Sequence, residues 1–121
     1  MDLKSKEEIE KLIKYFKIDR DILEYIESLE RNKDEILTKK NFIEKVNYFK
    51  ALGDRVRFLI YNLIGKKEMC VCELTAILNL SQPAISHHIK ILDQAGLIYG
   101  VKKGKFTSYE INKNLKRSYL I

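Results

Sequence analysis

The chain has 121 residues, of which 45% are hydrophobic and 33% are charged, a composition that predicts one folded, soluble domain with an appended element. It contains only 5 Gly and 1 Pro, so we expect no long flexible linker. The first residues are heavily charged and no apolar run has the length of a membrane span. We therefore expect neither a secretory signal nor a membrane contact, and a cytoplasmic location.

The formal net charge is +6, and its distribution along the chain is uneven. Residues 1–49 carry 11 Lys and Arg against 12 Asp and Glu, whereas residues 50–112 carry 9 against 5. A basic balance is typical of proteins with a polyanionic partner such as nucleic acid. The sequence therefore points to residues 50–112 for such a partner.

Residues 1–48 predict a helical extension. The capping-box spacing of Ser5 and Glu8 predicts a first short helix, and Asp19 is expected to cap a second. Apolar residues at helical spacing continue to Leu52, so residues 19–52 form either one long helix or two.

Three further helices are predicted next. Asp54 is expected to cap the first, with Val56, Leu59, Ile60, Leu63 and Ile64 facing inward and Gly65 at its end. The stretch MCVCELTAILNL predicts a short helix that begins near the cysteines. Ser81 is expected to cap a helix over Gln82–Ala95, which stops at Gly96. The last two helices, separated by a turn of residues 79–81, have the arrangement of a helix-turn-helix.

After Gly96 the apolar pattern alternates, and it predicts two strands over residues 97–101 and 106–111 with a turn between them. A hairpin directly after the second helix of such a motif is a wing. The expected fold is mainly α with a small β-hairpin: a winged helix-turn-helix with an N-terminal helical extension. The expected parts are the extension (1–48), the DNA-binding domain (49–112) and a short C-terminal helix (113–121).

The helix over Gln82–Ala95 is the candidate for DNA recognition. Ile85, Ile89 and Leu92 point to one side, which leaves polar side chains on the other. Such a face fits a major groove, where Gln pairs with adenine and Lys with guanine or phosphate. Lysines in the wing turn would contact phosphates, although a solvated charged surface is the alternative for both elements. The DNA-binding candidates are Ser81, Gln82, Ser86, His87, Lys90, Lys102, Lys103 and Lys105. His88 is expected at the boundary of the core.

Cys70 and Cys72 are the chain's only cysteines. In a regular helix their side chains would diverge, but in an extended segment they would share a face. If the helix begins only at about residue 71 or 72, the sulfurs can converge on a soft metal ion. On spacing alone, two buried small hydrophobic residues are the favoured interpretation. Neither a nucleophile–base set nor a phosphate-binding loop accompanies them, so we do not expect an enzyme.

From about Phe49 to Asn112 the chain resembles the ArsR/SmtB family of metal-responsive repressors. The matching stretches are FKALGDRVRFLIYNL, EMCVCELTAILNLSQPAISHHIKILDQAGLIYGVKKGK and TSYEIN. The resemblance implies a homodimeric repressor that binds a palindromic operator in double-stranded DNA and releases it when an effector binds. Dimer contacts in the family use both ends of the chain; here the C-terminal helix is short, so we expect residues 19–52 to supply most of the interface.

The stretch EMCVCEL resembles the family's cysteine box, which implies that Cys70 and Cys72 bind an effector. Members that use this box usually add a third or fourth thiolate, and this chain has none. The resemblance therefore implies arsenite, antimonite or another thiophilic ion held by two thiolates and an exogenous ligand. Zinc ligands of the family's final helix are missing from NKNLKRSYLI. Redox or persulfide sensing, cysteines without an effector, and a winged-helix module for protein–protein contact remain alternatives.

Overall fold

The computed structural model describes residues 1–115 and 119–121 and divides the chain into two compact units, Met1–Phe42 and Ile43–Ile121. Six helices and three strands are present in the described residues. In chain order they are α1 (Leu3–Tyr15), α2 (Ile22–Leu37), α3 (Phe42–Leu52), α4 (Arg55–Lys66), β1 (Met69–Cys70), α5 (Val71–Leu78), α6 (Gln82–Gln94), β2 (Ile98–Lys103) and β3 (Phe106–Ile111).

The first unit contains α1 and α2, each of which begins at an aspartate cap. Asp2 accepts a hydrogen bond from the Ser5 amide at 2.7 Å, and Asp21 accepts one from the Glu24 amide at 3.2 Å. The predicted caps at Ser5 and Asp19 are therefore wrong, because an aspartate lies where its carboxylate reaches the amide three residues later. Ile13 and Ile26 are the buried apolar residues of these two helices.

Residues 19–52 form two helices rather than one. The first ends at Leu37, where the Thr38 hydroxyl donates to the Asp34 carbonyl oxygen at 2.7 Å. Residues 38–41 separate it from α3, which begins at Phe42. No helix of the described part of the chain has the length and apolarity needed to cross a membrane.

The second unit has its hydrophobic core between α4, α5, α6 and the sheet. Leu59, expected to face inward, is 47% exposed, whereas Tyr61 is fully buried. Helix α4 also continues past Gly65 to Lys66. The predicted helix end was wrong because glycine is tolerated inside a helix at a cost of about 1 kcal/mol. The core residues are Ala51, Ile60, Tyr61, Ile64, Met69, Leu74, Ile85, Ile89, Leu92, Leu97 and Ile98.

The sheet has three antiparallel strands in the order β1-β3-β2, so the predicted hairpin is extended by β1. Strand β1 pairs with β3 through Cys70 opposite Ser108, and β2 pairs with β3 over its whole length. The wing turn is shorter than predicted, because β2 runs to Lys103 and Gly104 supplies the turn with a φ of +61°. The fold is a winged helix-turn-helix, as expected.

The C-terminal residues pack on α3 and α4. The Tyr119 ring centroid lies 5.5 Å from that of Phe49 and 6.0 Å from that of Tyr48, and the Ile121 amide donates to the Asn62 side-chain oxygen at 2.7 Å. Residues 113–115 and 119–121 are not helical. The middle of the predicted short helix over 113–121, residues 116–118, lies outside the described residues.

Candidate nucleic-acid interface and cysteine site

The turn between α5 and α6 fixes the helix-turn-helix. Asn79 ends α5 in the left-handed conformation, with φ 54° and ψ 41°. The Ser81 hydroxyl then caps α6 and accepts a hydrogen bond from the Ala84 amide at 3.2 Å. Both features are set by local sequence, since Asn tolerates the left-handed region and Ser is a favoured N-cap.

Helix α6 buries one side and exposes the other. Ile85, Ile89 and Leu92 are in the core, as the spacing predicted. The structure brings the candidate DNA contacts of this helix onto its solvent side, where all of them are exposed: Gln82, Ser86, His87 and Lys90. Ser81 is exposed as well, with its hydroxyl oxygen engaged in the cap.

His88 lies at the boundary of the core, as predicted, and contacts α4. Its Nδ1 is 3.3 Å from Nη1 of Arg57, whose Nε donates to the Ala51 carbonyl oxygen at 2.7 Å. Burial is the main cause of a lowered pKa of His88; the Asp54 carboxylate opposes this shift, and the positive charges of Arg57 and His87 reinforce it. The contacts connect α3, α4 and α6.

The wing lysines are all exposed but differ in their partners. Lys103 Nζ lies 2.5 Å from Glu68 Oε1 in a salt bridge. This hydrogen bond raises the pKa of Lys103 and lowers the pKa of Glu68. Lys102 and Lys105 have no salt bridge within residues 1–115 and 119–121. They are therefore better placed than Lys103 to meet a phosphate.

Cys70 and Cys72 lie at the junction of β1 and α5. Cys70 is extended, with φ −93° and ψ 164°, and α5 begins only at Val71. The two side chains therefore converge, and the structure joins their sulfurs as a disulfide with the Cα atoms 5.4 Å apart. Cys70 is half-buried and Cys72 is exposed, so the interpretation as two buried hydrophobic residues is wrong. The sulfurs were expected to converge if the helix began only at about residue 71 or 72, and α5 begins at Val71.

Glu73 holds this junction in place. Its carboxylate accepts hydrogen bonds from the Cys70 amide at 3.0 Å and from Lys67 Nζ at 3.1 Å. These bonds, the Cys70 amide first, lower the pKa of Glu73. Glu73 was not predicted as a functional residue, although its place three residues after the cap is the capping-box spacing that could have identified it.

A cleft of about 530 Å³ lies between the cysteines, the start of α6 and the wing turn. Two candidate DNA contacts, Gln82 and Lys105, are among its walls. Among the residues described, no group of three or more His, Cys, Asp or Glu side chains is arranged to hold a metal ion. The lining residues are Cys70, Val71, Cys72, Thr75, Ala76, Gln82, Lys105, Phe106, Thr107 and Tyr109.

Known proteins share this domain. The family model described as "Bacterial regulatory protein, arsR family" matches residues 54–99. The arsenical resistance operon repressor of Bacillus subtilis (strain 168) is 39% identical over 77 residues, covering 62% of this chain and 73% of that protein. Its counterpart in Escherichia coli (strain K12) is 36% identical over 76 residues, and the match spans 62% of this chain and 65% of the repressor's length.

A solved structure supports the same assignment. HlyU from Vibrio cholerae N16961 is 30% identical, with a TM-score of 0.59 over 64% of this chain and 84% of that chain. The region that the family model matches, residues 54–99, contains the helix-turn-helix and the start of the wing. The chain belongs to the ArsR family of winged helix-turn-helix transcriptional regulators, which are DNA-binding proteins and not enzymes.

Proposed function

We propose that this protein is a homodimeric repressor that binds a palindromic DNA operator and releases it when a thiophilic ligand binds Cys70 and Cys72. The observation that carries the DNA-binding part is the exposed polar side of α6 beside a basic wing. In this proposal Gln82, Ser86, His87 and Lys90 contact base edges or phosphates in the major groove, and Ser81 contacts the backbone at the helix start.

The wing contributes phosphate contacts. Lys102 and Lys105 project without a salt bridge in the described part of the chain, and Lys103 lies beside them. Contacts of this kind position the protein and make binding depend steeply on salt. Two such domains related by two-fold symmetry would match half-sites one helical turn apart.

The dimer is proposed to form mostly through the helices of residues 19–52. In α3, Ile43 is 63% exposed, and Phe49 is exposed beside Tyr119. Helices α1 and α2 expose further large apolar side chains, among them Leu12, Leu23 and Ile36. Large apolar side chains in such numbers are typical of an interface.

The oligomeric state can be measured directly. Ile43→Glu introduces a charge into the proposed interface and is expected to shift the protein from dimer to monomer in analytical ultracentrifugation. Lys45→Glu, which puts a carboxylate on the opposite side of the same helix, is the control. A wild-type protein that sediments as a monomer at micromolar concentration would contradict the homodimer.

The cysteine pair supplies two of the ligands that a soft ion would need. Two converging sulfurs on a strand–helix junction are suitable donors for a thiophilic ion or metalloid such as arsenite or antimonite. A third ligand would be exogenous, since no group of three or more His, Cys, Asp or Glu side chains in the described residues is arranged to hold one ion. Bound there, the ion would tie β1 to α5 and so bias the helix-turn-helix.

Redox sensing is the second candidate for the same residues. The observation that favours it is the pairing of the two sulfurs as a disulfide. Formation of this bond removes two electrons and two protons from the dithiol, and a peroxide or another thiol-oxidising agent would accept them.

The proposed function is tested by fluorescence anisotropy with labelled DNA from upstream of the protein's own gene. The reduced protein is expected to bind this DNA tightly and to prefer it over scrambled DNA of equal length. Stoichiometric arsenite should release it, and Cys70→Ser and Cys72→Ser should each lose this response. Release by a mild oxidant but not by arsenite would support redox sensing instead. Equal affinity for both DNAs would overturn the proposal of sequence-specific DNA binding.

A further inference from the structure

The cleft beside the cysteines joins the cysteine site to two of the candidate DNA contacts. Cys72 is exposed and lines the same cleft as Gln82, at the start of α6, and Lys105, at the wing turn. We infer that this cleft holds a backbone phosphate of the bound DNA, so that a group attached to Cys72 and the DNA compete for the same space. The inference rests on the proposed function and adds direct competition to it.

The polar groups of the cleft suit a phosphodiester. The ammonium of Lys105 has no salt bridge among the residues described, and no Asp or Glu is among the lining residues. Thr107 and Gln82 add hydroxyl and amide groups that can donate hydrogen bonds to phosphate oxygens.

The start of α5 adds to this positive environment. Val71 and Cys72 are the first two residues of this helix and both line the cleft. The first turn of a helix carries a partial positive charge from its free amides. Glu73, in the same turn, is turned to Lys67 and the Cys70 amide and is not a lining residue.

The shared cleft makes the two occupants compete for space. In the proposed complex Gln82 and Lys105 contact DNA from α6 and the wing turn, and Cys72 lines the same cleft as both. A ligand on its sulfur would then meet the phosphate without any change of helix position. If an effector acted only by tilting α5, its effect on DNA binding would not depend on the charge of the effector.

The charge of the attached group provides the test. In the Cys70→Ser variant, Cys72 is the only cysteine, and an alkyl methanethiosulfonate transfers its alkylthio group to the thiolate with methanesulfinate as the leaving group. Three reagents give adducts of similar size: sulfonatoethyl (negative), propyl (neutral) and trimethylammonioethyl (positive). DNA binding of each adduct is compared with that of the unmodified variant by anisotropy, and circular dichroism reports whether each adduct is folded.

The negative adduct is expected to weaken DNA binding by about tenfold or more, because its sulfonate and the phosphate carry like charges at close range. The positive adduct should bind at least tenfold more tightly than the negative one, with the neutral adduct between them, and the differences should shrink as salt is raised. The protein with both cysteines changed to serine, treated with the same reagents, should show no change.

Equal weakening by all three adducts would overturn the inference and favour a helix displacement that is blind to charge. No effect from any adduct would overturn it as well, because the cleft would then lie away from the DNA. Either result leaves the proposed function standing, provided that the unmodified variant prefers the upstream DNA. If it shows no such preference, the proposed function itself has failed.

Discussion

Arg57 Nη1 lies 3.3 Å from Nδ1 of His88 and so connects α4 to the middle of the recognition helix α6. Because a guanidinium can only donate, Nδ1 must accept, and His88 must be neutral for the hydrogen bond to form. The same guanidinium donates to the Ala51 carbonyl oxygen. The orientation of α6 is therefore coupled to the protonation state of one half-buried imidazole.

We expect the stability of the fold to decline in mild acid because of His88. Burial lowers its pKa below the ordinary value of 6.5, so the unfolded chain binds this proton more readily than the folded one. The contribution of His88 is complete above pH 6.5 and is lost as the pH falls through the lowered pKa. Urea unfolding between about pH 5 and pH 7.5 measures it.

His88→Asn is the matched variant for this measurement. Its side-chain oxygen can accept from Arg57 but does not titrate, so the loss of unfolding free energy below pH 6.5 should be smaller than in the wild type. His87→Asn, on the exposed side of the same helix, should keep the wild-type pH dependence. An unchanged pH dependence in His88→Asn would show that other groups cause the acid sensitivity.

The wing lysines should contribute unequally to DNA binding. Lys102→Gln removes an exposed charge without a salt bridge in the described residues, so it should weaken binding and lower the salt dependence by about one ion. Lys103→Gln should have a smaller effect, because Lys103 is paired with Glu68. Anisotropy titrations at several salt concentrations measure both.

Glu68→Gln tests the same pair from the other side. It frees the Lys103 ammonium and removes a negative charge near the wing, so affinity for DNA should rise a few-fold. Exposed pairs of this kind contribute at most about 1 kcal/mol, so stability should change little. Lower DNA affinity in Glu68→Gln would mean that the salt bridge orders the wing for binding.

Some features set by neighbouring residues could be predicted from the sequence, although the predicted caps of α1 and α2 were wrong. Asp54 accepts from the Arg57 amide as the expected cap of α4, and Ser81 caps α6. The turn between α5 and α6 was also predicted correctly. In each case one side chain decides the local backbone, so no distant contact is needed.

Features that depend on distant contacts could not be predicted. Strand β1 has two residues and exists because β3, far along the chain, pairs with it. The salt bridge between Glu68 and Lys103 joins residues 35 positions apart. Convergence of Cys70 and Cys72 depends on the residue at which α5 begins, and helix ends are uncertain by a residue or two from pattern alone.

Two leucines, one in α5 and one in α4, allow the burial seen in the structure to be tested. Leu74 of α5 is fully buried, and Leu74→Ala is expected to lower the free energy of unfolding by about 2 to 5 kcal/mol, because it leaves a cavity. Leu59 of α4 is 47% exposed despite its apolar spacing, so Leu59→Ala should cost about 1 kcal/mol or less. Chemical denaturation compares the two.

Equal losses in Leu74→Ala and Leu59→Ala would mean that Leu59 is covered in the protein in solution. The second copy in the proposed dimer would be the first partner to examine. In that event the loss at Leu59 should diminish as the protein is diluted and the dimer dissociates, whereas the loss at Leu74 should not.

Asn79 sets the angle between α5 and α6 through a backbone conformation that few residues adopt. Its φ of 54° places it in the left-handed region, which costs other L-residues about 1 to 2 kcal/mol. Asn79→Ala should therefore lower the free energy of unfolding by roughly that amount, whereas Asn79→Gly should be close to neutral because glycine adopts this φ freely. Urea unfolding of the two variants measures the difference.

The same two variants show whether the turn also matters for DNA binding. In Asn79→Ala the strain can be relieved by a shift of α6, and DNA affinity should then fall, while Asn79→Gly keeps the geometry and should bind like the wild type. A stable Asn79→Ala variant with unchanged DNA affinity would contradict the role given to the left-handed residue. Loss of stability with unchanged affinity of the folded protein would limit that role to folding.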